Sequence, residues 1–225
     1  MILRKWLCVL LCFSLLSIPV RAEEAPKYVA LTFDDGPSGR YTRTLLDGLS
    51  RRGVKATFFL CGYRMKEYPS LTQRIHAEGH EIGLHGYSHD DMGKMSRKKA
   101  AKEIADTYAL LPKGCKPVFL RPPGGSSGEG LKQAAKDAGL ALLSWSNDPR
   151  DWAVRDADAV QAAVLADVRD GDVILLHDMS NSSVDAALGI IDSLLSQGFQ
   201  FVTVSELAKI RGITPVPGKN YTCFR

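Results

Sequence analysis

Two adjacent carboxylates, Asp34 and Asp35, close the apolar run Leu31-Thr32-Phe33 where Gly36-Pro37 turns the chain. Side chains alternate along a strand, but a Gly-Pro bend breaks that alternation, so both carboxylates can face one pocket. One can then bind a cation while its neighbour moves protons. Taken alone, D-D-G-P also reads as a turn whose aspartates cap a helix starting near Ser38. Further along, Glu81-Ile82-Gly83-Leu84 leads into His85-Gly86-Tyr87-Ser88-His89. Imidazoles four apart project from one side of a helical turn and can reach a single ion. Gly86 stands where the zinc-protease pattern needs a glutamate, which removes that reading. With Asp35, the two histidines form an Asp-His-His set with open coordination positions, as metal-assisted hydrolysis requires.

Three more polar clusters follow apolar runs. Arg121-Pro122-Pro123-Gly124-Gly125 follows Val118-Phe119-Leu120, and Asn147-Asp148-Pro149-Arg150-Asp151-Trp152 follows the run from Leu140 to Trp145. His177-Asp178 ends Val173-Ile174-Leu175-Leu176. Singly, Arg121 reads as a surface charge, Asp148-Pro149 as a turn and His177 as a capping or core imidazole. Together they put five polar clusters at the C-terminal ends of strand-like segments. Those segments run over 28–33, 56–60, 80–84, 118–120, 140–145, 172–176 and 199–203, separated by helical stretches with glycine stops at Gly53, Gly79, Gly139 and Gly198; the last helix begins at Ser205. Alternation of this kind predicts parallel strands with right-handed crossovers, hence an α/β barrel or open sheet whose site lies at the C-terminal strand ends.

These residues resemble the polysaccharide deacetylases of carbohydrate esterase family 4, the NodB homology domain. The five family motifs stand in order as T-F-D-D-G-P at 32–37, H-G-Y-S-H at 85–89, R-P-P-G at 121–124, D-P-R-D-W at 148–152 and I-L-L-H at 174–177. The resemblance spans about Tyr28 to Ala208 and implies a distorted (β/α)7-type barrel. It implies Asp35, His85 and His89 as ligands of a divalent metal, zinc first for a nitrogen-rich set and cobalt, manganese or nickel as alternatives. Asp34 would be the general base and His177 the general acid, with Arg121 biasing Asp34 and Asp151 orienting His177. The backbone at Gly124 would bind the oxyanion, and Trp152, Ile174 and Leu176 would hold the acetyl methyl. Two departures stand out: Gly124-Gly125 replaces a frequent aromatic wall of the groove, and position 174 is Ile where Leu is common. The implied activity is hydrolysis of the acetamide of N-acetylglucosamine-type residues in peptidoglycan or a chitin-like oligosaccharide. An O-acetyl xylan-type esterase and a non-catalytic carbohydrate-binding relative are the alternative readings.

Arg4 and Lys5, the mostly apolar run from Trp6 to Ile18, and Val20-Arg21-Ala22 read as a secretory signal peptide over 1–22. Its apolar run of about 13 residues is short of the roughly 20 that a bilayer-spanning helix needs. The expectation is a secreted or cell-envelope protein with no stable membrane span after processing. Taking away Arg4, Lys5 and Arg21, and no acid, lowers the net charge from +4 to +1, and no basic patch with interleaved aromatics argues for nucleic acid. Residues 23–211 fit one catalytic domain, expected to be monomeric, with 212–225 as an extended tail. Among the remaining cysteines, Cys61 is expected to be buried and reduced, and Cys115 and Cys223 to bridge.

Overall fold

The computed structural model describes residues 25–225; the expected signal peptide lies outside the described residues. Among the described residues, eight strands are interleaved with eight α-helices: β1 (Lys27–Asp34), α1 (Gly39–Arg52), β2 (Thr57–Leu60), α2 (Gly62–Glu67), α3 (Pro69–Ala77), β3 (Glu81–Leu84), α4 (Arg97–Tyr108), β4 (Phe119–Leu120), α5 (Glu129–Asp137), β5 (Ala141–Leu143), α6 (Ala157–Asp167), β6 (Val173–His177), α7 (Asn181–Ser196), β7 (Phe199–Phe201), α8 (Val204–Ile210) and β8 (Asn220–Tyr221). Every strand pairing is parallel, in the order β6-β1-β2-β3-β4-β5-β8, with β7 against the first residues of β1. The chain after β5 then reaches β6 through a single bridge, Asn147 with Ile174. A curled sheet closed by one bridge is a distorted α/β barrel.

Burial follows the pleat. Leu31, Phe33, Phe58, Leu60, Ile174 and Leu176 point outward into a core shared with Leu45, Leu46 and Leu49 of α1 and Ile190, Ile191 and Leu194 of α7. A second outer core joins Leu84, Leu120 and Leu142 to Ala100 and Ile104 of α4 and Leu131 of α5. The alternate residues Ala30, Phe59, Phe119, Ala141, Leu143 and Val173 fill the interior, joined by Val204 and Leu207 of α8 and by Phe224. α8 starts on a capping box between Thr203 and Glu206, and its first residue donates Val204 N–H to Thr57 Oγ1 at 3.0 Å. It therefore sits against the sheet at the end opposite the C-terminal strand tips.

Two expectations change. Residues 212–225 are no extended tail: β8 extends the sheet beyond β5, and Phe224 is fully buried, its N–H on Gly171 O at 2.9 Å. The aromatic in C-F-R had no partner visible in the sequence. Cys115 and Cys223 are not bridged; Cys115 packs on the core beneath α1 and α7, whereas Cys223 precedes the Phe224 that enters the barrel interior. Cys61 is free and buried. No helix among the described residues is long and apolar enough to cross a membrane.

Candidate functional site

The C-terminal strand tips converge on a cleft of about 400 Å³ lined by Asp34, Asp35, His85, His89, Gly124, Trp145, Asp148, Trp152, Leu175 and His177. Register accounts for much of this, since Asp34 pairs with His177 at the ends of β1 and β6. Asp35, one residue beyond the strand, turns back through a left-handed conformation (φ 72°), so two consecutive carboxylates share one pocket.

His85 and His89 meet by a route other than the helical one expected. No helix covers 85–89; the segment is a loop after β3, with Gly86 at φ 74° and His89 at φ 66°. Those two left-handed residues fold the chain back and set the rings 5.2 Å apart. His85 Nε2 lies 3.2 Å and His89 Nε2 2.9 Å from Asp35 Oδ1. Burial alone would raise the Asp35 pKa, but bonds and charge from His85 and His89 outweigh it and hold the carboxylate below its usual range. The Asp35 bond raises His89 against the opposing effect of burial. Asp35 Oδ1 is buried and has no hydrogen-bond partner beyond these two imidazole contacts, and the three ligand atoms lie within 4.8 Å of one another. One oxygen and two imidazole nitrogens suit a borderline divalent cation. The other nitrogen, His85 Nδ1, is 2.7 Å from Arg121 O, which fixes Nε2 as the atom presented to the cleft.

Arg121 is no surface charge. It is fully buried, with Nη1 donating to Asp34 Oδ1 at 2.7 Å and Thr32 Oγ1 at 2.8 Å, Nη2 donating to Ser144 O at 2.9 Å, and the guanidinium 4.1 Å from the Phe59 ring centre. Asp34 Oδ1 is thereby occupied, while Oδ2 lies 3.8 Å from His85 Nε2. Across the cleft, Asp151 is buried and grips His177 twice: Oδ2 accepts its backbone N–H at 2.9 Å, and Oδ1 lies 2.8 Å from Nδ1. Burial works against charge on His177, but Asp151, with help from Asp34 and Asp35, prevails and raises its pKa to about 9. Nε2 is then a protonated group facing the cleft.

Of the expected acetyl pocket, Trp152 lines the cleft and is 56% exposed, whereas Ile174 and Leu176 do not reach it. Both are fully buried on the outer face of β6, and Leu175 lines the cleft instead. Counting back by two from His177 finds Leu175, because strand residues two apart share a face. The wall at Gly124-Gly125 is not bare either. A Cβ at Gly125 would come within 2.9 Å of the Trp145 ring, so the tryptophan after β5 supplies an aromatic surface there, while the space at Gly124 is open. An aromatic ending an apolar run was the only available hint of Trp145.

Comparison with known proteins agrees with this geometry. The sequence profile described as Polysaccharide deacetylase matches residues 21–143. A peptidoglycan-N-acetylglucosamine deacetylase of Bacillus cereus is 39% identical over 191 residues, covering 82% of this chain and 90% of that protein. The peptidoglycan-N-acetylmuramic acid deacetylase PdaC of Bacillus subtilis is 39% identical over 202 residues, 88% of this chain but 43% of its own length. Among solved structures, a family 4 acetyl xylan esterase from Clostridium thermocellum in complex with a cobalt ion superposes with a TM-score of 0.82 at 37% identity, covering 88% of this chain and 98% of that one.

Proposed function

The chain belongs to the polysaccharide deacetylase family, carbohydrate esterase family 4, and from that premise we propose that it is an exported, metal-dependent deacetylase hydrolysing the acetamide of N-acetylglucosamine-type residues in peptidoglycan or a chitin-like oligosaccharide. The observation that carries this reading is the convergence, in one cleft, of the Asp35-His85-His89 set with the Asp34-Arg121 and His177-Asp151 pairs. Asp35, His85 and His89 would hold the cation, zinc by its nitrogen-rich set. When bound, the cation supplies Lewis-acid polarisation of the acetyl carbonyl and lowers the pKa of water.

Asp34 is the base. Arg121 occupies its Oδ1, which leaves Oδ2 to take the proton of the attacking water. Charge developing on the acetyl oxygen is met by the backbone N–H near Gly124, beside a position left open by the missing side chain. His177 gives its Nε2 proton to the departing amine; Asp151 on Nδ1 keeps the ring oriented and protonated at neutral pH. Leu175 and the tryptophans Trp145 and Trp152 supply the apolar wall for the methyl, whose burial is worth about 1 kcal/mol. Selection of acetyl over longer acyl groups must therefore come mainly from steric exclusion.

The likeness to an acetyl xylan esterase supports a second reading, ester hydrolysis with the same groups. Acetate release from N-acetylglucosamine oligomers, peptidoglycan and acetylxylan, each with and without chelator, separates the two. Chelator-sensitive release from the glucosamine substrates is expected. Release from acetylxylan alone would overturn the amide reading, and release unaffected by chelator would overturn the metal.

A further inference from the structure

The loop that carries the two histidines is held by a residue outside every motif. Its carbonyls are taken from one side by the start of α2: Gly62 N–H donates to Gly86 O and Tyr63 N–H to Tyr87 O, both at 3.0 Å. Its amide hydrogens are taken from the other side by one atom. Glu103 Oε2, on α4, accepts Tyr87 N–H at 2.7 Å, Ser88 N–H at 2.9 Å and the Ser88 hydroxyl at 3.2 Å. Successive backbone N–H groups converging on one carboxylate oxygen form a nest. A Cβ at Gly86 would lie 3.4 Å from the same Oε2 and 3.0 Å from Met92 S, so glycine there serves the close approach as well as the left-handed turn. The nest lies between Gly86 and His89, the two left-handed residues that return His89 to Asp35.

We propose that Glu103 is a positioning residue for the metal site: its carboxylate holds the 86–89 loop in the one conformation that lets His85 and His89 present Nε2 to the same ion. The inference rests on the metal reading of Asp35, His85 and His89. Without Glu103, the two N–H groups turn to water, the cost of the left-handed backbone at His89 is no longer offset, and the loop spreads over conformers in which His89 points away. Only the fraction in the folded-back conformer binds, so affinity falls by that fraction.

The test compares Glu103→Ala with Glu103→Gln in the full mature chain, using apo protein titrated calorimetrically with zinc and the visible spectrum of the cobalt form. Gln keeps an acceptor oxygen in place, whereas Ala removes it. Loss of an outer-shell partner typically costs about 10–100-fold in metal affinity, and that is expected for Glu103→Ala, with a weakened cobalt spectrum. Glu103→Gln should recover most of the affinity, and kcat/KM of Glu103→Ala should climb back as the metal concentration is raised. Native affinity and spectrum in Glu103→Ala would overturn the proposal. So would equal losses in both variants, or failure of the Ala variant to fold, either of which makes Glu103 a fold residue. Failure of the unmutated protein to bind zinc or cobalt would instead overturn the metal reading itself.

Discussion

Replacing Arg121 by methionine should be among the costliest substitutions in this protein, and a second mutation should undo much of the damage. The guanidinium is fully buried, and its bonds to Asp34, Thr32 and Ser144 all lie inside the barrel. Methionine fills most of the volume over Phe59 but leaves Asp34, itself only 3% exposed, as a buried carboxylate without its counter-charge. Removing one partner of a buried pair costs about 3–5 kcal/mol. For a domain of this size each kcal/mol moves Tm by about 2–4 °C, so a fall of roughly 10 °C is expected. Asp34→Asn removes the stranded charge, and replacing both partners of a buried pair is often close to neutral. The double variant Arg121→Met/Asp34→Asn should therefore regain about 2 kcal/mol or more over Arg121→Met, although it should lose the rate that the proposed base supplies. Urea unfolding followed by circular dichroism on the four proteins of the cycle measures this. An Arg121→Met cost below about 1 kcal/mol, or no recovery in the double variant, would refute the reading of Arg121 as the partner that the buried Asp34 requires.

The two aspartates should separate by metal analysis: Asp35→Asn loses zinc, while Asp34→Asn keeps it and loses about 100-fold or more in rate; the opposite pattern reverses their roles. His177→Ala should cripple N-deacetylation far more than hydrolysis of a nitrophenyl acetate, whose phenolate leaves unprotonated, and equal losses would make His177 structural. His80 gives an acid limb to stability. Burial, with Lys55 and Arg74 and against Glu78, lowers its pKa from 6.5 to about 4, and its Nδ1 accepts Ala56 N–H at 3.2 Å. Between those values the unfolded chain binds a proton that the folded chain refuses, so stability falls as pH drops from 6.5 to about 4. His80→Asn, which keeps an acceptor for Ala56, should flatten that limb in urea titrations at pH 4, 5 and 7; an unchanged slope would assign it to other groups.

The strand ends, the helix stops and the chemistry at the tips were legible in the sequence because each is a local signal. Gly53, for example, caps α1 in the left-handed conformation that its place after Arg51-Arg52 predicts. The facing of residues was less legible. Ile174 and Leu176 sit in the fifth motif beside His177, yet alternation turns them to the helices and presents Leu175 to the cleft. The i,i+4 spacing of His85 and His89 suggested a helix, but Gly86 cannot reveal from sequence that it, with His89, reverses the chain. Glu103, Trp145 and Phe224 act through contacts across the fold, with Tyr87 and Ser88, with Gly125 and with Gly171, and no local pattern marks such pairs.

Among the described residues, three that are not glycine adopt positive φ, namely Asp35, His89 and Arg150, and all three lie in the motif loops. Such conformations cost about 1 kcal/mol or more each, and glycine would relieve that cost at the expense of the side chain. Two of the three are held by an acid outside the proposed ligand set, and the third has one packed beside it. Beside Asp35, the Asp178 carboxylate lies where a Cβ on Gly36 would come within 2.6 Å of it, and it accepts the Thr42 hydroxyl. Before His89, Glu103 gathers the amides of Tyr87 and Ser88. At Arg150, Asp148 Oδ1 accepts the residue's own N–H at 2.8 Å, and the guanidinium lies 5.2 Å from the Trp152 ring centre. Two of these acids thus bind the loops' own amides: Glu103 those of Tyr87 and Ser88, and Asp148, which also lines the cleft, that of Arg150. Removal of Glu103 is therefore expected to act through geometry, whereas removal of Asp34 or Asp35 is expected to act on the proposed chemistry itself.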